Sequence, residues 1–385
     1  MARNAEATLS PCYERHQPEH TVLYQLVKQY YPAFKVSLEE QGQNLPSYIQ
    51  REFDDFLRCG RLEYGFLRVR CEDCHHDRLV AFSCKRRGFC PSCGARRMAE
   101  SAALLVDEVF PEVPIRQWVL SFPFQLRFLL ARYPELMGKV LGIVYRTLST
   151  YLIKTAGYTK ATAHTGAVTL IQRFGSALNL NVHYHMLFLD GVYAENRYGN
   201  TRFHHVKAPS QHQLTTLVHT LSHRIARFLE KRGLLERDAE NTWLTLEESE
   251  DDVLTQLHGH SVTYRIATGP QQGRKVFTLQ TLPDTSSQNE TSTRVAKDAG
   301  FSLHAGVVAQ AHQRDKLERL CRYVSRPAIS EKRLSLTSNG RVRYDVNGFT
   351  NAASAGKRKS GRTENPLPQR NHTRHLRTLR FYRQY

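Results

Sequence analysis

The chain has 385 residues, enough for two or three domains with a sizeable core. Lysine and arginine number 54 against 36 acids, and the resulting formal charge of +18 favours a polyanionic partner, nucleic acid before an anionic membrane surface. No apolar run approaches the ~20 residues of a membrane span, and the polar, acid-containing N-terminus is unlike a signal peptide. We therefore expect a cytoplasmic, nucleoid-associated protein with no membrane partner.

The first 58 residues are predicted to form a helical segment. Apolar residues recur at helical spacing between Thr21 and Gln41 and again between Pro46 and Leu57. Pro32 lies inside the first of these stretches and is predicted to break or kink it.

A cysteine-rich block defines the next predicted domain, residues 59–110, which also includes a linker helix over 95–110. Five of the eight cysteines fall between Cys71 and Cys93, in the spacing typical of a metal site rather than of a secreted disulfide scaffold. Two C-x-x-C pairs supply the tetrahedral four-sulfur set that Zn²⁺ prefers. The predicted structural zinc ligands are Cys71, Cys74, Cys90 and Cys93. Cys59 and Cys84 are additional candidates, and buried free thiols or redox pairs are the alternative.

This block is also strongly basic. Lys85, Arg86 and Arg87 are consecutive, and Phe82 and Phe89 lie on either side of them. Cations for phosphates and rings for bases are typical of a segment that contacts DNA. The alternative is a solvated zinc ribbon that only supports its neighbour.

A β-strand is predicted from Asn181 to Leu189, closed by Asp190 and Gly191. Side chains alternate along a strand, so His183 and His185 are expected on one face and their apolar neighbours in a core. Two adjacent imidazoles on a rigid strand can hold a divalent cation. The alternative for an isolated His-x-His is a pair of solvated histidines.

A preceding strand, predicted over 166–173, is expected to pair with the histidine strand as a hairpin. Gln172 near its end would then approach the histidine face. A glutamine oxygen is an acceptable ligand for Mg²⁺ or Mn²⁺, although Gln172 is equally compatible with a position at the rim.

A helix before Pro327 carries Tyr323 at the border of its apolar face. Arg319, Arg322 and Arg326 lie beyond that border, where they would hold a phosphate and favour the phenolate. The alternative is an ordinary boundary tyrosine with a packed ring and a wet hydroxyl. From residue 346 onward apolar periodicity disappears and Lys/Arg accumulates, which predicts a disordered basic tail.

Together these features suggest attack by a tyrosine hydroxyl on a DNA phosphodiester. The cation would polarise the scissile phosphate, and a 5′-phosphotyrosine would conserve the bond energy for rejoining. The sequence contains no Gly-x-x-x-x-Gly-Lys-Ser/Thr loop, so no ATPase is predicted.

Three ordered motifs resemble a known family. The segment from Cys59 through Cys93 resembles the zinc-binding domain of rolling-circle insertion-sequence transposases, the common-region relatives of the insertion sequence ninety-one group. His183-Tyr184-His185 resembles their histidine–hydrophobic–histidine (HUH) motif. The segment from Leu320 to Pro327 resembles the one that carries the catalytic tyrosine. The resemblance covers roughly Phe53 to Tyr344.

The resemblance implies a DNA transposase that nicks one strand at an element end, links to it through Tyr323 and transfers it. It implies His183 and His185 as ligands of a catalytic Mg²⁺ or Mn²⁺, with Gln172 where relatives place a third polar residue. Two-tyrosine relatives have their second tyrosine at the position of Arg319, so this chain matches the one-tyrosine branch. Relatives continue with apolar sequence after the tyrosine helix, and we expect the basic sequence from Val346 to reflect truncation or a frame shift.

The expected fold class is α+β. An antiparallel sheet flanked by helices forms a catalytic domain over 111–345, the helical segment and zinc ribbon precede it, and a basic tail occupies 346–385. Two other functions remain open: a plasmid-type replication initiator or relaxase, and a non-catalytic zinc-ribbon DNA-binding protein derived from a transposase. The expected partner is single-stranded DNA at element ends, and a homo-oligomer is left open.

Overall fold

The computed structural model describes residues 17–72, 74–86, 88–196, 198–238, 242–245, 253–276 and 294–345. Arg87 and the basic tail from residue 346 lie outside the described residues, so the predictions made for them are not tested. Within these described ranges, no helix is both long and apolar enough to cross a membrane.

Eight α-helices are formed by the described residues. They are α1 (Val22–Glu39), α2 (Ser47–Arg58), α3 (Pro91–Leu104), α4 (Phe124–Arg132), α5 (Pro134–Thr155), α6 (Gln211–Glu230), α7 (Val253–Val262) and α8 (Arg314–Val324). A π-helical turn, Leu105–Val109, extends α3. The first predicted helix is not broken, because α1 continues through Pro32.

Fourteen strands are formed by the same residues, most of them short. They are β1 (Phe66–Arg70), β2 (Asp77–Ala81), β3 (Ile115–Ser121), β4 (Ala163–His164), β5 (Ala167–Phe174), β6 (Leu180–Leu189), β7 (Gly191–Glu195), β8 (Thr201–His205), β9 (Leu235–Arg237), β10 (Thr242–Leu244), β11 (Val295–Asp298), β12 (Phe301–Ala309), β13 (Leu334–Leu336) and β14 (Val342–Tyr344).

The chain divides into two compact units. The first contains the described residues up to Gly42, the stretch Pro46–Gly94, and Ile329 to the last described residue. The second contains Gln43–Leu45 and Ala95–Ala328. The β13–β14 hairpin belongs to the first unit, in which β13 contacts α1. The predicted bounds of the catalytic domain, 111–345, stay a prediction.

In the first unit, aromatic rings join α1 and α2. Tyr31 stacks on Phe53 with ring centroids 4.5 Å apart, and Phe89 packs against both Phe53 and Phe56 at 4.8 and 5.0 Å. The antiparallel β1–β2 hairpin follows. The core between these helices therefore combines aromatic rings with aliphatic residues of α1 such as Leu23, Val27 and Leu38, and the sheets among the described residues of this unit have two strands each.

The second unit is built on a five-stranded antiparallel sheet with the order β11-β12-β3-β6-β5. This confirms the expected mixture of helices and an antiparallel sheet. The strand predicted to carry the histidine pair is β6, and it lies between β3 and β5. A buried ion pair with a nitrogen–oxygen distance of 2.7 Å joins Arg116 of β3 to Asp190 at the end of β6.

The two faces of this sheet have different coverings. One face presents Trp118, Tyr184, Met186 and Phe188, all fully buried, to a core that includes α4, α5 and α6. The other face presents Ile115 and Leu187 to the end of α3 and to α8. Alternation along β6 places both histidines on this second face, the one that α8 covers.

The stretch after α7 forms a tight turn. Val262 ends α7, and the backbone then folds back on itself through one antiparallel bridge, Arg265 to Lys275, with Gly269 and Gly273 at positive φ in the turn.

Candidate active site

The histidine pair lies at the centre of the sheet. His183 and His185 face the same way, and their Nε2 atoms are 3.1 Å apart. Two neighbouring ligands of an octahedral ion with bonds of about 2.1 Å are about 3.0 Å apart, so the spacing suits two ligands of one such ion. The spacing of the pair is therefore compatible with two ligands of one divalent cation.

Both imidazoles are held in the neutral form that binds metals. Burial lowers the pKa of His185 to about 3, with smaller contributions from His183 and Arg326. Burial also lowers the pKa of His183, although the hydrogen bond to the Asn181 carbonyl acts in the opposite direction. That bond joins Nδ1 of His183 to the carbonyl oxygen at 2.8 Å, which leaves Nε2 with a lone pair.

Gln172 lies directly opposite His183 on β5 and is only 4% exposed. Its side-chain nitrogen donates to the Val324 carbonyl at 2.7 Å, which fixes the orientation of the amide. Its Oε1 atom is buried and has no hydrogen-bond partner in the described part of the chain. An orphaned buried oxygen beside two imidazoles fits a third cation ligand, because burying such an atom unpaired costs about 1–3 kcal/mol.

Tyr323 lies next to the histidines. Its ring meets that of His185 edge to face, with centroids 5.8 Å apart and planes at 89°. It is on α8, whose apolar residues Leu317, Cys321 and Val324 are buried against the sheet. The Gln172 bond to Val324 therefore ties the residue after Tyr323 to the strand beside the histidines.

Two arginines place positive charge at this site. The guanidinium of Arg326 lies over the Tyr323 ring, 4.5 Å from its centroid. Arg127 of α4 approaches from another element, and both arginines help to lower the pKa of His183. Arg127 donates to the Phe122 carbonyl at 2.7 Å and lies over the Phe124 ring at 4.6 Å. No carboxylate pairs with Arg127 among the described residues.

The other arginines predicted on α8 point elsewhere. Arg322 is paired with Glu318 on its own helix, at 2.7 Å. Arg319 lines a small surface hollow together with Lys316 and His312. Among the three predicted α8 arginines, only Arg326 stacks on Tyr323.

Sequence reasoning missed Arg127 and Gln117. Gln117 is on β3, and its amide nitrogen is 2.8 Å from Nδ1 of His185. Neither residue belongs to a recognisable motif. The one available signal was a glutamine in a largely buried strand, where a buried polar side chain needs a partner.

A second donor set lies in the first unit. Three sulfur–sulfur distances in it are 3.5, 3.6 and 3.8 Å, and all ligand atoms lie within 4.8 Å of one another. Tetrahedral zinc with bonds of about 2.3 Å requires sulfurs about 3.8 Å apart, so the set fits Zn²⁺. The cluster consists of Cys59, Cys84, Cys90 and Cys93.

This finding corrects the predicted zinc set. Cys90 and Cys93 are part of the cluster, but Cys71 and Cys74 are at the tip of the β1–β2 hairpin, with Cys74 exposed. Cys59, just after α2, and Cys84 take their places. The backbone N–H of Cys84 donates to the Cys59 sulfur at 3.3 Å, and hydrogen bonds from the other thiols, Cys59 first, lower the pKa of Cys93. Gly60, at φ 76°, makes the turn that a residue with a Cβ would oppose.

The basic residues near this cluster differ in their surroundings. Arg86 donates to Asp55 at 2.8 and 2.6 Å and so ties the cysteine loop to α2. Lys85 adopts a left-handed backbone with φ 54°. A role of Lys85 and Arg86 in DNA binding stays a prediction.

Two family models match the chain. Residues 166–384, more than half of the sequence, match the Y2_Tnp transposase family. Residues 26–122 match the transposase zinc-binding domain Zn_Tnp_IS91. The chain belongs to the IS91 family of transposases. No curated protein and no solved structure matches it.

Membership in the transposase family identifies a DNA-processing protein with an N-terminal zinc-binding domain, as the sequence motifs indicated. The zinc-binding match includes all four clustered cysteines. The transposase match includes the histidine pair and Tyr323 and runs through the basic tail to residue 384. The expectation that the sequence from Val346 reflects truncation or a frame shift stays a prediction, and the family match extends into that sequence.

Proposed function

We propose that this transposase nicks and transfers single-stranded DNA through a 5′-phosphotyrosine on Tyr323, in rolling-circle transposition. One observation carries the proposal: two imidazole nitrogens converge at 3.1 Å, and a tyrosine ring packs 5.8 Å from one of them. A packed boundary tyrosine elsewhere on α8 would not meet a pair of neutral, convergent imidazoles.

The cation would be held by Nε2 of His183, Nε2 of His185 and Oε1 of Gln172. When bound, a Mg²⁺ or Mn²⁺ ion there would act as a Lewis acid on the scissile phosphate. The mixed nitrogen and oxygen donor set suits Mn²⁺ well. Because β3 and β5 flank β6, the chain itself positions the two imidazoles before any ion arrives.

Tyr323 supplies the nucleophile. Its hydroxyl oxygen bonds to phosphorus, the bond from phosphorus to the 3′ oxygen breaks, and the phenolic proton is released. The departing strand takes up a proton and leaves as a free 3′-hydroxyl. A 3′-hydroxyl can later attack the phosphotyrosine in the reverse sense, which transfers the strand and restores the tyrosine.

Arg326 and Arg127 would hold the phosphate. The Arg326 guanidinium lies on the tyrosine ring, and the charge of Arg127 acts on His183 from α4. Charge-assisted bonds from guanidinium to phosphate are short and directional, so two arginines from different parts of the chain can orient the scissile group for in-line attack.

Covalent trapping tests the proposal. The purified protein is incubated with a library of single-stranded oligonucleotides and Mn²⁺, and adducts that survive SDS are counted. We expect adducts with wild type and none with Tyr323→Phe, which keeps the ring packing against His185. Tyr344→Phe is the matched control, because Tyr344 belongs to the first unit, and it should leave adduct yield unchanged.

The same assay separates the other functions. Adducts whose cleavage maps to a plasmid origin rather than to element ends would indicate a replication initiator or relaxase. DNA binding without any adduct, in wild type as in Tyr323→Phe, would contradict the enzymatic proposal and indicate a DNA-binding protein.

A further inference from the structure

Gln117 is a buried residue beside His185 to which the proposed reaction assigns no role. It lies on β3, is 4% exposed, and places its amide nitrogen 2.8 Å from Nδ1 of His185. This contact is on the far side of the imidazole from His183. It is also the only hydrogen bond of the Gln117 side chain in the described part of the chain.

The positions of the protons on the two imidazoles can be assigned starting from His183. The Asn181 carbonyl only accepts, so Nδ1 of His183 carries a proton and its Nε2 does not. A hydrogen bond across the 3.1 Å between the two Nε2 atoms would place a proton on Nε2 of His185. Nδ1 of His185 would then accept an N–H from Gln117, whose amide nitrogen lies 2.8 Å away.

A bound cation needs the opposite tautomer of His185. Both Nε2 atoms must then present lone pairs, so the His185 proton must reside on Nδ1. The ring loses the proton on Nε2 and gains one on Nδ1, with no change in its charge. Nδ1 has become a donor, and the group facing it must accept.

We propose that Gln117 is a positioning residue that holds His185 in both tautomers by turning its amide over when the cation binds. Its N–H faces Nδ1 before binding, and its carbonyl oxygen faces Nδ1–H afterwards. No other hydrogen bond of Gln117 has to break, since the described residues provide none. Gln172 differs, because the Val324 carbonyl fixes its nitrogen and leaves only its oxygen for the ion.

The choice of glutamine follows from this requirement. A glutamate could accept from Nδ1–H but could not donate to the other tautomer. A leucine could do neither, and a lysine could only donate. An amide alone among these serves both states, and partners of this kind typically change metal affinity by roughly 10- to 100-fold.

The test compares Gln117→Leu with Gln117→Glu in the full chain, with Mn²⁺ affinity measured by calorimetry. We expect Gln117→Leu to weaken Mn²⁺ binding roughly 10- to 100-fold and Gln117→Glu to keep it within about threefold or strengthen it. Should Gln117→Leu fail to fold, Gln117→Met, of similar length, takes its place. Thr147→Val removes a buried polar group on α5 and should leave affinity unchanged.

Three results would overturn the inference, and they are distinguishable. Equal Mn²⁺ affinity in wild type, Gln117→Leu and Gln117→Glu would exclude a role for Gln117 while leaving the proposed metal centre intact. An equal loss in both variants would show that acceptance from Nδ1–H is not the role. Absence of Mn²⁺ binding in wild type would refute the metal centre, on which this inference rests.

A direct measurement reports the tautomer itself. Nitrogen-15 spectra of His185 should show the proton on Nε2 without Mg²⁺ and on Nδ1 with Mg²⁺. A single tautomer under both conditions would contradict the amide turnover.

Discussion

The cysteine cluster and the histidine pair are both donor sets suited to a metal, but they are held together in opposite ways. The cysteines come from the end of α2, from a loop and from the start of α3, and contacts between their sulfurs gather them. The histidines are two residues apart on β6, which is hydrogen-bonded to a strand on each side.

This difference indicates which of the two sites needs a bound ion in order to form. Zinc binding to a set of dispersed thiolates contributes folding free energy directly, on the order of 10–16 kcal/mol in small zinc domains at neutral pH. The sheet of the second unit has its own apolar core on both faces and does not need an ion to form. Zinc binding is therefore needed to hold the four cysteines together, whereas the pairing of β6 with its neighbouring strands is enough to position the two histidines.

The largest expected effect follows replacement of a clustered cysteine. Cys59→Ser removes a zinc ligand that joins the end of α2 to the cysteine loop, so we expect loss of bound zinc and unfolding of the segment around the cluster. Zinc content and limited proteolysis of the first unit measure this. Stoichiometric zinc in a protease-resistant Cys59→Ser protein would contradict the assignment.

The next effect is on catalysis without unfolding. His183→Ala should lower single-strand cleavage by roughly 10³-fold, or about 4 kcal/mol, because the cation loses a ligand. The melting temperature should change by less than about 4 °C, since roughly 1 kcal/mol shifts a domain of this size by 2–4 °C. Calorimetry run in parallel with the cleavage assay would detect an unfolded variant. Unfolding of His183→Ala would contradict the proposal that the histidine site forms without its ion.

A smaller effect is expected at Arg127. Arg127→Gln keeps a side-chain N–H donor but removes the charge near His183, so KM for DNA should rise about tenfold, or about 1.4 kcal/mol, and depend less on salt. Arg146→Gln is the control, because Arg146 is exposed on α5, on the opposite face of the sheet. Equal effects of the two substitutions would show that only the overall charge matters.

The smallest effect is expected at the cysteines outside the cluster. The double variant Cys71→Ser with Cys74→Ser should retain bound zinc and lose less than about 1 kcal/mol of stability, as surface substitutions usually do. Zinc content and a denaturant titration check it. A loss of zinc as large as in Cys59→Ser would contradict this expectation and support the ligands predicted from the C-x-x-C spacing, which include Cys71 and Cys74.

Much of the histidine site was predictable because strand geometry is local. Alternation along 181–189 placed His183 and His185 on one face and their apolar neighbours in the core, and helical periodicity placed Tyr323 at the border of the apolar face of α8. The zinc ligands were less predictable, because C-x-x-C spacing identifies a knuckle but not its partners. Cys71 and Cys74 fit the pattern, while Cys59 and Cys84 complete the cluster.

The sequence by itself determined the class of protein, the strand with its paired imidazoles and the helix with its tyrosine, since each depends on a repeat within one element. Only the tertiary structure decided which four thiols meet, that Tyr323 packs on His185, and that Gln117 and Arg127 stand at the site. These are contacts between elements distant along the chain, set by strand order and helix packing, and no local period encodes them.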